Sequence, residues 1–271
     1  MPICKEIYEK IHEANVAIHR LEARYYELLH PEIYNKCEQK RIYFTLKILD
    51  KIVADNKKKA LDVGAGSGNL TGKLLSMNYN VTAVDISPEM CAILKKKYEK
   101  FLETKKLVII NSPIENVSFE KGEFDIITCY SVLHHLPDYV GVIQRLSSFL
   151  KKGGVMYLDH EASPFYWKGE KTCLARLGRF IYFYSSLMIN SLHLRTLGIN
   201  IPSLDYSMAD YWHNKEHHLD HKKIRDVFQK ENFSFLIRID YHLNRTRIPN
   251  PIFNIYRNIC KPDMSLWIAR K

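Results

Sequence analysis

The stretch Ala60-Leu61-Asp62-Val63-Gly64-Ala65-Gly66-Ser67-Gly68-Asn69 decides the fold. Lys59 to Val63 is a short apolar run that reads as a strand, and Leu70 to Met77 has the texture of a helix. Between them glycine stands at alternate positions, which lets the backbone turn tightly and approach a ligand with no Cβ in the way. A strand entering a helix through such a turn is where a doubly wound sheet binds its ligand. Further along, Val81 to Val84, Leu107 to Ile110, Phe124 to Cys129 and Val155 to Leu158 read as strands. Pro88 to Phe101 and Tyr139 to Leu150 read as helices, the second closed by Gly153-Gly154. Strands alternating with helices imply a mostly parallel sheet with helices on both faces.

Outside this core the texture changes. Residues 3 to 55 read as helical, with Ile7, Ile11, Ala14 and Ile18 at helical spacing, an interruption at Pro31, and a second helix from about Glu38 to Val53. Residues 162 to 210 are rich in aromatic side chains and read as an inserted helical cap. From Asp220 a helix runs to about Lys230, Phe233 to Ile239 alternates as a strand, and Ser265 to Ala269 is a last strand. A strand pair closing the sheet fits the common antiparallel edge of mixed sheets. The expected organisation is an N-terminal helical lid over 1–55, a ligand-binding core over 56–161, the cap over 162–210 and completion of the sheet by 211–271.

With 46% hydrophobic and 26% charged residues, the composition is that of a globular protein. Charged residues near Met1 argue against a signal peptide, and no uncharged apolar run reaches the roughly 18 residues of a membrane span. The six cysteines lack C-x-x-C spacing, which suits a reducing compartment and a cytoplasmic location. The net charge of +10 fits nucleic acid, an anionic membrane or an acidic substrate, and equally a lysine-rich solvated surface. Peripheral membrane contact and the oligomeric state stay open.

Asp85 ends the second strand, where a carboxylate can accept hydrogen bonds from two ribose hydroxyls. Nicotinamide enzymes share this feature, but their fingerprint needs glycine where this chain has Asn69. Asp62, two residues before the first glycine, suits the ammonium of an amino acid better than a pyrophosphate.

Residues 58 to 160, about two-fifths of the chain, resemble a class I S-adenosylmethionine (AdoMet)-dependent methyltransferase. The motifs are Leu61 to Gly68, Val84-Asp85-Ile86-Ser87, Phe124 to Leu136, and Gly153-Gly154 before a strand. The resemblance implies an α/β fold with a seven-stranded, mostly parallel Rossmann-like sheet whose last strand is antiparallel. It implies that Asp62, Gly64, Ala65 and Gly66 line the methionine part of AdoMet, flanked by Tyr130 and Ser131. Asp85 would hold the ribose, with Ile86 and Met90 near the adenine, followed by Ser112, Pro113 and Ile114. Relatives often have an acidic residue where this chain has Ser112. The segment Glu22 to Asn35, containing Tyr25, Tyr26 and His30, often folds over AdoMet in this family; it could equally pack tyrosines into the core.

For catalysis the candidates are His134 and His135 after the fourth strand, Glu161 after the fifth, and His30. Histidine titrates near neutral pH and can take a proton from an acceptor, although the histidine pair recurs in relatives with unrelated substrates, which favours a structural role. His213, His217 and His221 fall at helical intervals, with His218 beside them, but a metal site needs converging geometry, and none is expected. The expected reaction is methyl transfer to a small or medium-sized organic acceptor, with S-adenosylhomocysteine as product. The aromatic cap residues Phe165, Tyr166, Trp167, Phe180, Tyr182, Phe183 and Tyr184 point to an apolar or aromatic acceptor, or simply to packing of the cap. A nucleic-acid methyltransferase is the rival, without the Asp/Asn-Pro-Pro-aromatic pattern or an RNA-binding module to support it. A non-catalytic AdoMet-binding protein is the other.

Overall fold

The structure is a computed structural model that describes residues 5–53, 58–198, 205–247 and 250–271. The strands are β1 (Lys59–Val63), β2 (Asn80–Asp85), β3 (Leu107–Asn111), β4 (Phe124–Tyr130), β5 (Leu150–Ala162), β6 (Phe235–Tyr241) and β7 (Met264–Arg270). They form one sheet in the order β3-β2-β1-β4-β5-β7-β6. β1 to β5 pair in parallel, and β7 runs antiparallel to both β5 and β6. This is the seven-stranded Rossmann-like sheet expected from the sequence. Val63 registers with Val84 on one side and Cys129 on the other, so the ends of β1, β2 and β4 are level. The strand order reverses at β1, and the loops leaving this edge form the crevice where such sheets bind ligands.

Eleven helices are described: α1 (Lys5–Glu22), α2 (Tyr26–Leu29), α3 (Pro31–Tyr34), α4 (Lys36–Ile52), α5 (Asn69–Ser76), α6 (Pro88–Lys97), α7 (Glu99–Glu103), α8 (Tyr139–Phe149), α9 (Cys173–Thr196), α10 (His221–Lys230) and α11 (Ile252–Ile259). Alternate residues of the strands point to opposite faces. Leu61, Ile127 and Met156 pack with Ile143 and Leu146 of α8 and Phe228 of α10. Ala60, Ile126 and Val155 pack with Leu46 of α4, Leu74 of α5 and Leu94 of α6.

Three elements differ from the sequence reading. The helix expected over 88–101 divides at Tyr98, whose hydroxyl donates to the Gly68 carbonyl at 3.1 Å. β5 begins at Leu150, so Gly153-Gly154 lies within a strand. The histidines at 213, 217 and 221 do not share a helix: α10 starts at His221, and His213 bridges to His218.

The N-terminal helices are tied to the crevice. Asn15 on α1 donates to the His135 carbonyl at 3.3 Å, Tyr34 hydrogen-bonds Ser67 at 2.9 Å, and Arg41 on α4 pairs with Asp159 at 2.7 Å. Asn35 caps α4 by accepting from the Glu38 amide, while its own amide donates to the Asn244 carbonyl. α9 packs against α11 through Tyr182 and Tyr256, stacked 4.2 Å apart.

Candidate active site

The glycine turn forms the floor. Gly66 has φ +52°, and a Cβ there would meet no atom within 4 Å. It faces open space in two adjoining cavities and is the point where a ligand can approach the backbone. Gly68 is constrained differently, because a Cβ there would lie 2.4 Å from Leu94 Cδ1 and 2.6 Å from Tyr98 Cε2. Asp85 accepts from the Gly66 amide at 2.7 Å and the Ser87 amide at 2.8 Å, which braces the turn. Burial raises the Asp85 pKa, against the opposing charge of His19 and these two amides. Asp62 accepts from Thr71 at 2.6 Å and Thr128 at 2.8 Å; burial pushes its pKa up to about 6.

A cavity of about 670 Å³ runs along the ends of β1 and β2. Gly64, Gly66, Asp85, Ile86, Ser112, Pro113, Ile114, Tyr130 and Ser131 line it, all of them expected cofactor residues. Met90 does not: it is fully buried on α6, away from the wall. Ser112 is spent locally, with its amide donating to the Asp85 carbonyl and its hydroxyl to the Pro113 carbonyl. The carboxylate on this wall is instead Glu115, which the sequence reading missed. Both of its oxygens are buried without a hydrogen bond, and His12 stands 3.5 Å away. Burial raises the Glu115 pKa, but the imidazole of His12 beside it outweighs this and lowers it. His12, Asn15 and His19 of α1 also line the cavity. Their spacing of three and four places them on one helical face.

A smaller cavity of about 340 Å³ continues past the turn, between Asp62, Gly64, Ala65 and Gly66 on one side and Tyr26, Tyr34 and Tyr130 on the other. Tyr130 is fixed from both sides, donating to Glu38 at 2.8 Å and hydrogen-bonding His160 at 2.9 Å. Tyr25 lines none of these cavities and lies against Arg24. Tyr26 lines all three, including the one described next.

That cavity, of about 770 Å³, is polar and lies between the N-terminal helices and the ends of β4 and β5. It shares His19, Tyr26, Ser131 and His135 with the first cavity, so the two meet. His134 Nδ1 donates to Glu161 at 2.7 Å. The other Glu161 oxygen accepts from the Val132 and Leu133 amides at 3.0 and 2.7 Å. Burial opposes charge on His134, but the Glu161 carboxylate outweighs it and raises the pKa above the ordinary value. Glu161 is itself buried behind His134 and is off the cavity wall, so it positions the histidine rather than meeting an acceptor. His135 Nδ1 donates to the Ala209 carbonyl at 2.9 Å, which leaves its Nε2 as an acceptor. Burial and the charge of His134 push the His135 pKa well below 6.5.

His30 also lines this cavity but is clamped between Glu32 at 3.0 Å and Glu22 at 3.3 Å. Burial works against its charge, yet the two carboxylates raise its pKa to about 10. His30 is therefore a cation at neutral pH and not a proton acceptor. The rest of the wall includes Tyr206, Asp210, His213 and Arg245, which come from distant parts of the chain. The aromatic cap residues singled out in the sequence line none of these cavities; Tyr182 and Phe183 instead pack on Tyr256.

Of the four C-terminal histidines, His221 is committed to the Ala162 carbonyl and Trp267. His134, His135 and Asp210 bring ligand atoms within 4.8 Å of one another. However, the His135 nitrogen nearest Asp210 is the one bonded to Ala209.

Residues 61–158 match the family model described as a methyltransferase domain. A ubiquinone biosynthesis O-methyltransferase of Xanthomonas campestris is 32% identical over 103 residues, covering 37% of this chain and 42% of that protein. One of Actinobacillus pleuropneumoniae is 31% identical over 105 residues, covering 38% and 45%. The chain thus spans less than half the length of these curated relatives. The fold is also that of Haemonchus contortus phosphoethanolamine N-methyltransferase 2, solved with phosphomonomethylethanolamine and S-adenosylhomocysteine. The TM-score is 0.59 at 13% identity, over 98% of this chain and 60% of that one. An S-adenosylmethionine-dependent methyltransferase from Mesorhizobium loti gives 0.54 at 15% identity, over 82% and 95%. Sheet order, glycine turn and the match agree that residues 61–158 are similar to a methyltransferase domain, set on a seven-stranded Rossmann-like sheet.

Proposed function

We propose that the protein transfers a methyl group from AdoMet to a small or medium-sized organic acceptor in the polar cavity. The observation that carries this reading is the meeting of the cavities at Tyr26, Ser131 and His135. A cofactor along the sheet edge and an acceptor in the neighbouring cavity would face each other there. The residues present suit the cofactor: the open cradle at Gly66 would be filled by any side chain, Asp85 on the first cavity would hold the ribose, and Asp62 on the smaller one would face the amino-acid end. Glu115 is the acid suited to the adenine amino group.

AdoMet, when bound, supplies a methyl group on an already activated sulfonium. The protein contributes alignment, exclusion of water and a place for a proton. Tyr26 offers an aromatic face to a cation at the junction. His135 Nε2 accepts a hydrogen bond from the acceptor and orients its reacting atom. His134, made more basic by Glu161, takes the proton that the acceptor loses. The ubiquinone-type relatives support an acceptor with an apolar body.

The test is titration calorimetry with AdoMet, S-adenosylhomocysteine and NAD, followed by a metabolite-extract screen with methyl-labelled AdoMet. Binding of the first two and label transfer to a small molecule are expected. Binding of NAD alone would refute the cofactor. AdoMet binding with label transferred only to RNA or DNA would refute the acceptor class.

A further inference from the structure

α9 is unlike the other helices in what it shows to solvent. Leu177, Phe180, Tyr184, Leu187, Met188 and Leu192 are each between 47 and 67% exposed. They follow helical spacing and form one continuous outer face. Between Leu177 and Leu192 every exposed residue of this helix is apolar or tyrosine. Scattered exposed apolar residues need no explanation, but a continuous patch of this kind marks an interaction surface.

Charge indicates what covers it. From Lys171 to Arg195 the sequence has no Asp or Glu. Lys171 and Arg176 are exposed at one end of the helix and Arg195 at the other. A second copy placed on this face by a two-fold axis would add only positive charge to positive charge. A bilayer with anionic headgroups accepts both features, with the apolar stripe at the acyl boundary and the basic ends among phosphates. No helix among the described residues is long and apolar enough to cross a membrane, so the contact is peripheral.

We infer that α9 lies along an anionic lipid surface and docks the enzyme there. The opposite face of the helix is locked to the protein body. Tyr182 donates to the Leu243 carbonyl at 2.7 Å, and Asn190 donates to the Arg245 carbonyl at 2.9 Å. Arg245 in turn lines the polar cavity. Docking through α9 therefore brings that cavity close to the lipid, which suits an acceptor with an apolar body. This last step rests on the acceptor reading above; the docking itself does not.

The experiment is co-sedimentation of the full chain with phosphatidylcholine vesicles, with and without phosphatidylglycerol. It compares wild type with the double variant Phe180→Ser/Leu187→Ser. S-adenosylhomocysteine affinity, expected unchanged, shows that the variant is folded, and light scattering without vesicles gives the oligomeric state. Wild type is expected to bind the phosphatidylglycerol vesicles, and the variant to bind about tenfold more weakly or less. Failure of wild type to sediment at low salt would overturn the inference. So would equal sedimentation of a folded variant, or a change from dimer to monomer in a pair that ignores vesicles. Loss of S-adenosylhomocysteine binding in both proteins would count against the cofactor reading and leave the sedimentation result intact.

Discussion

The Nδ1 of His134 donates to a carboxylate oxygen of Glu161 at 2.7 Å, and the other oxygen of Glu161 is held by the amides of Val132 and Leu133. The carboxylate is therefore fixed by the backbone that carries the histidine, and it raises the histidine's pKa. If His134 takes the acceptor's proton, kcat/KM should rise with pH through this raised pKa. Glu161→Gln removes the charge that raises it. The rising limb should then move to lower pH, and the plateau should fall by about tenfold to a hundredfold. AdoMet affinity should be unchanged. A purely structural role for Glu161 would lower the melting temperature and leave the limb in place.

The clamp on His30 gives a prediction about stability. Its folded pKa is about 10 against an ordinary 6.5. The stability it contributes is fully present below pH 6.5 and is lost as pH rises towards 10. Glu22 and Glu32 are held below 4.5: burial raises them, but His30 outweighs it, so their contribution is lost as pH falls below that value. The clamp is thus complete between about pH 4.5 and 6.5. Melting temperatures of wild type should decline from pH 6.5 to 10, and His30→Gln should remove part of that decline. Parallel curves would show that the clamp does not contribute in this range.

Two glycines in one turn should respond in opposite ways. Gly66→Val introduces a branched side chain at φ +52°, with strain of about 1–3 kcal/mol, and fills space that is open in the free protein. It should stay folded by circular dichroism and lose AdoMet binding. Gly68→Val drives its Cβ into Leu94 and Tyr98 and should cost about 3 kcal/mol of fold stability. Normal AdoMet binding by a folded Gly66→Val would remove the turn from the cofactor site.

Asp85 and Glu115 stand at different positions of the same cavity. Asp85→Ala should weaken AdoMet by about 2 kcal/mol, roughly thirtyfold, the scale of losing charge-assisted hydrogen bonds to the ribose. Glu115→Gln keeps the shape and should weaken it by about tenfold if the carboxylate accepts from the adenine amino group. Calorimetry measures both. Unchanged affinity in either variant would strike that residue from the cofactor contacts.

The parts of this site visible in the sequence are those formed by local chain geometry. A strand, a glycine turn and a carboxylate at the next strand end are short-range patterns, and they located Asp62, Gly66 and Asp85. The resemblance points to position 112, which is Ser112 in this chain, whereas the carboxylate stands three residues later, at Glu115. His12, Asn15 and His19 are readable as a second helical face of α1, beside the apolar one of Ile7, Ile11, Ala14 and Ile18. Met90 and Tyr25 lay next to the right motifs, but periodicity does not say which way a particular side chain turns. The polar cavity was least legible. Glu22, Asp210 and Arg245 meet only through long-range packing, and the His30 clamp depends on two carboxylates whose approach no spacing announces.

The N-terminal segment gives the last prediction. α1, α2, α3 and the His30 between the last two supply His12, Asn15, His19, Tyr26, His30 and Ile33 to the two larger cavities, so any ligand there lies beneath them. α2 and α3 are only four residues each, too short to be stable as isolated helices. They are held by contacts such as Tyr34 to Ser67 on the glycine turn and Asn35 to the Asn244 carbonyl. If these helices open to admit ligand and close over it, their amides should exchange faster in the free protein than those of β1 and β4. S-adenosylhomocysteine should then slow exchange within residues 20 to 40, with the strongest effect around Tyr26, whose ring lines all three cavities. Hydrogen exchange followed by mass spectrometry, with and without the ligand, measures this directly. Protection confined to the glycine turn and Asp85 would mean that the segment is a fixed wall. In that case Tyr26 would shape the pocket without gating it.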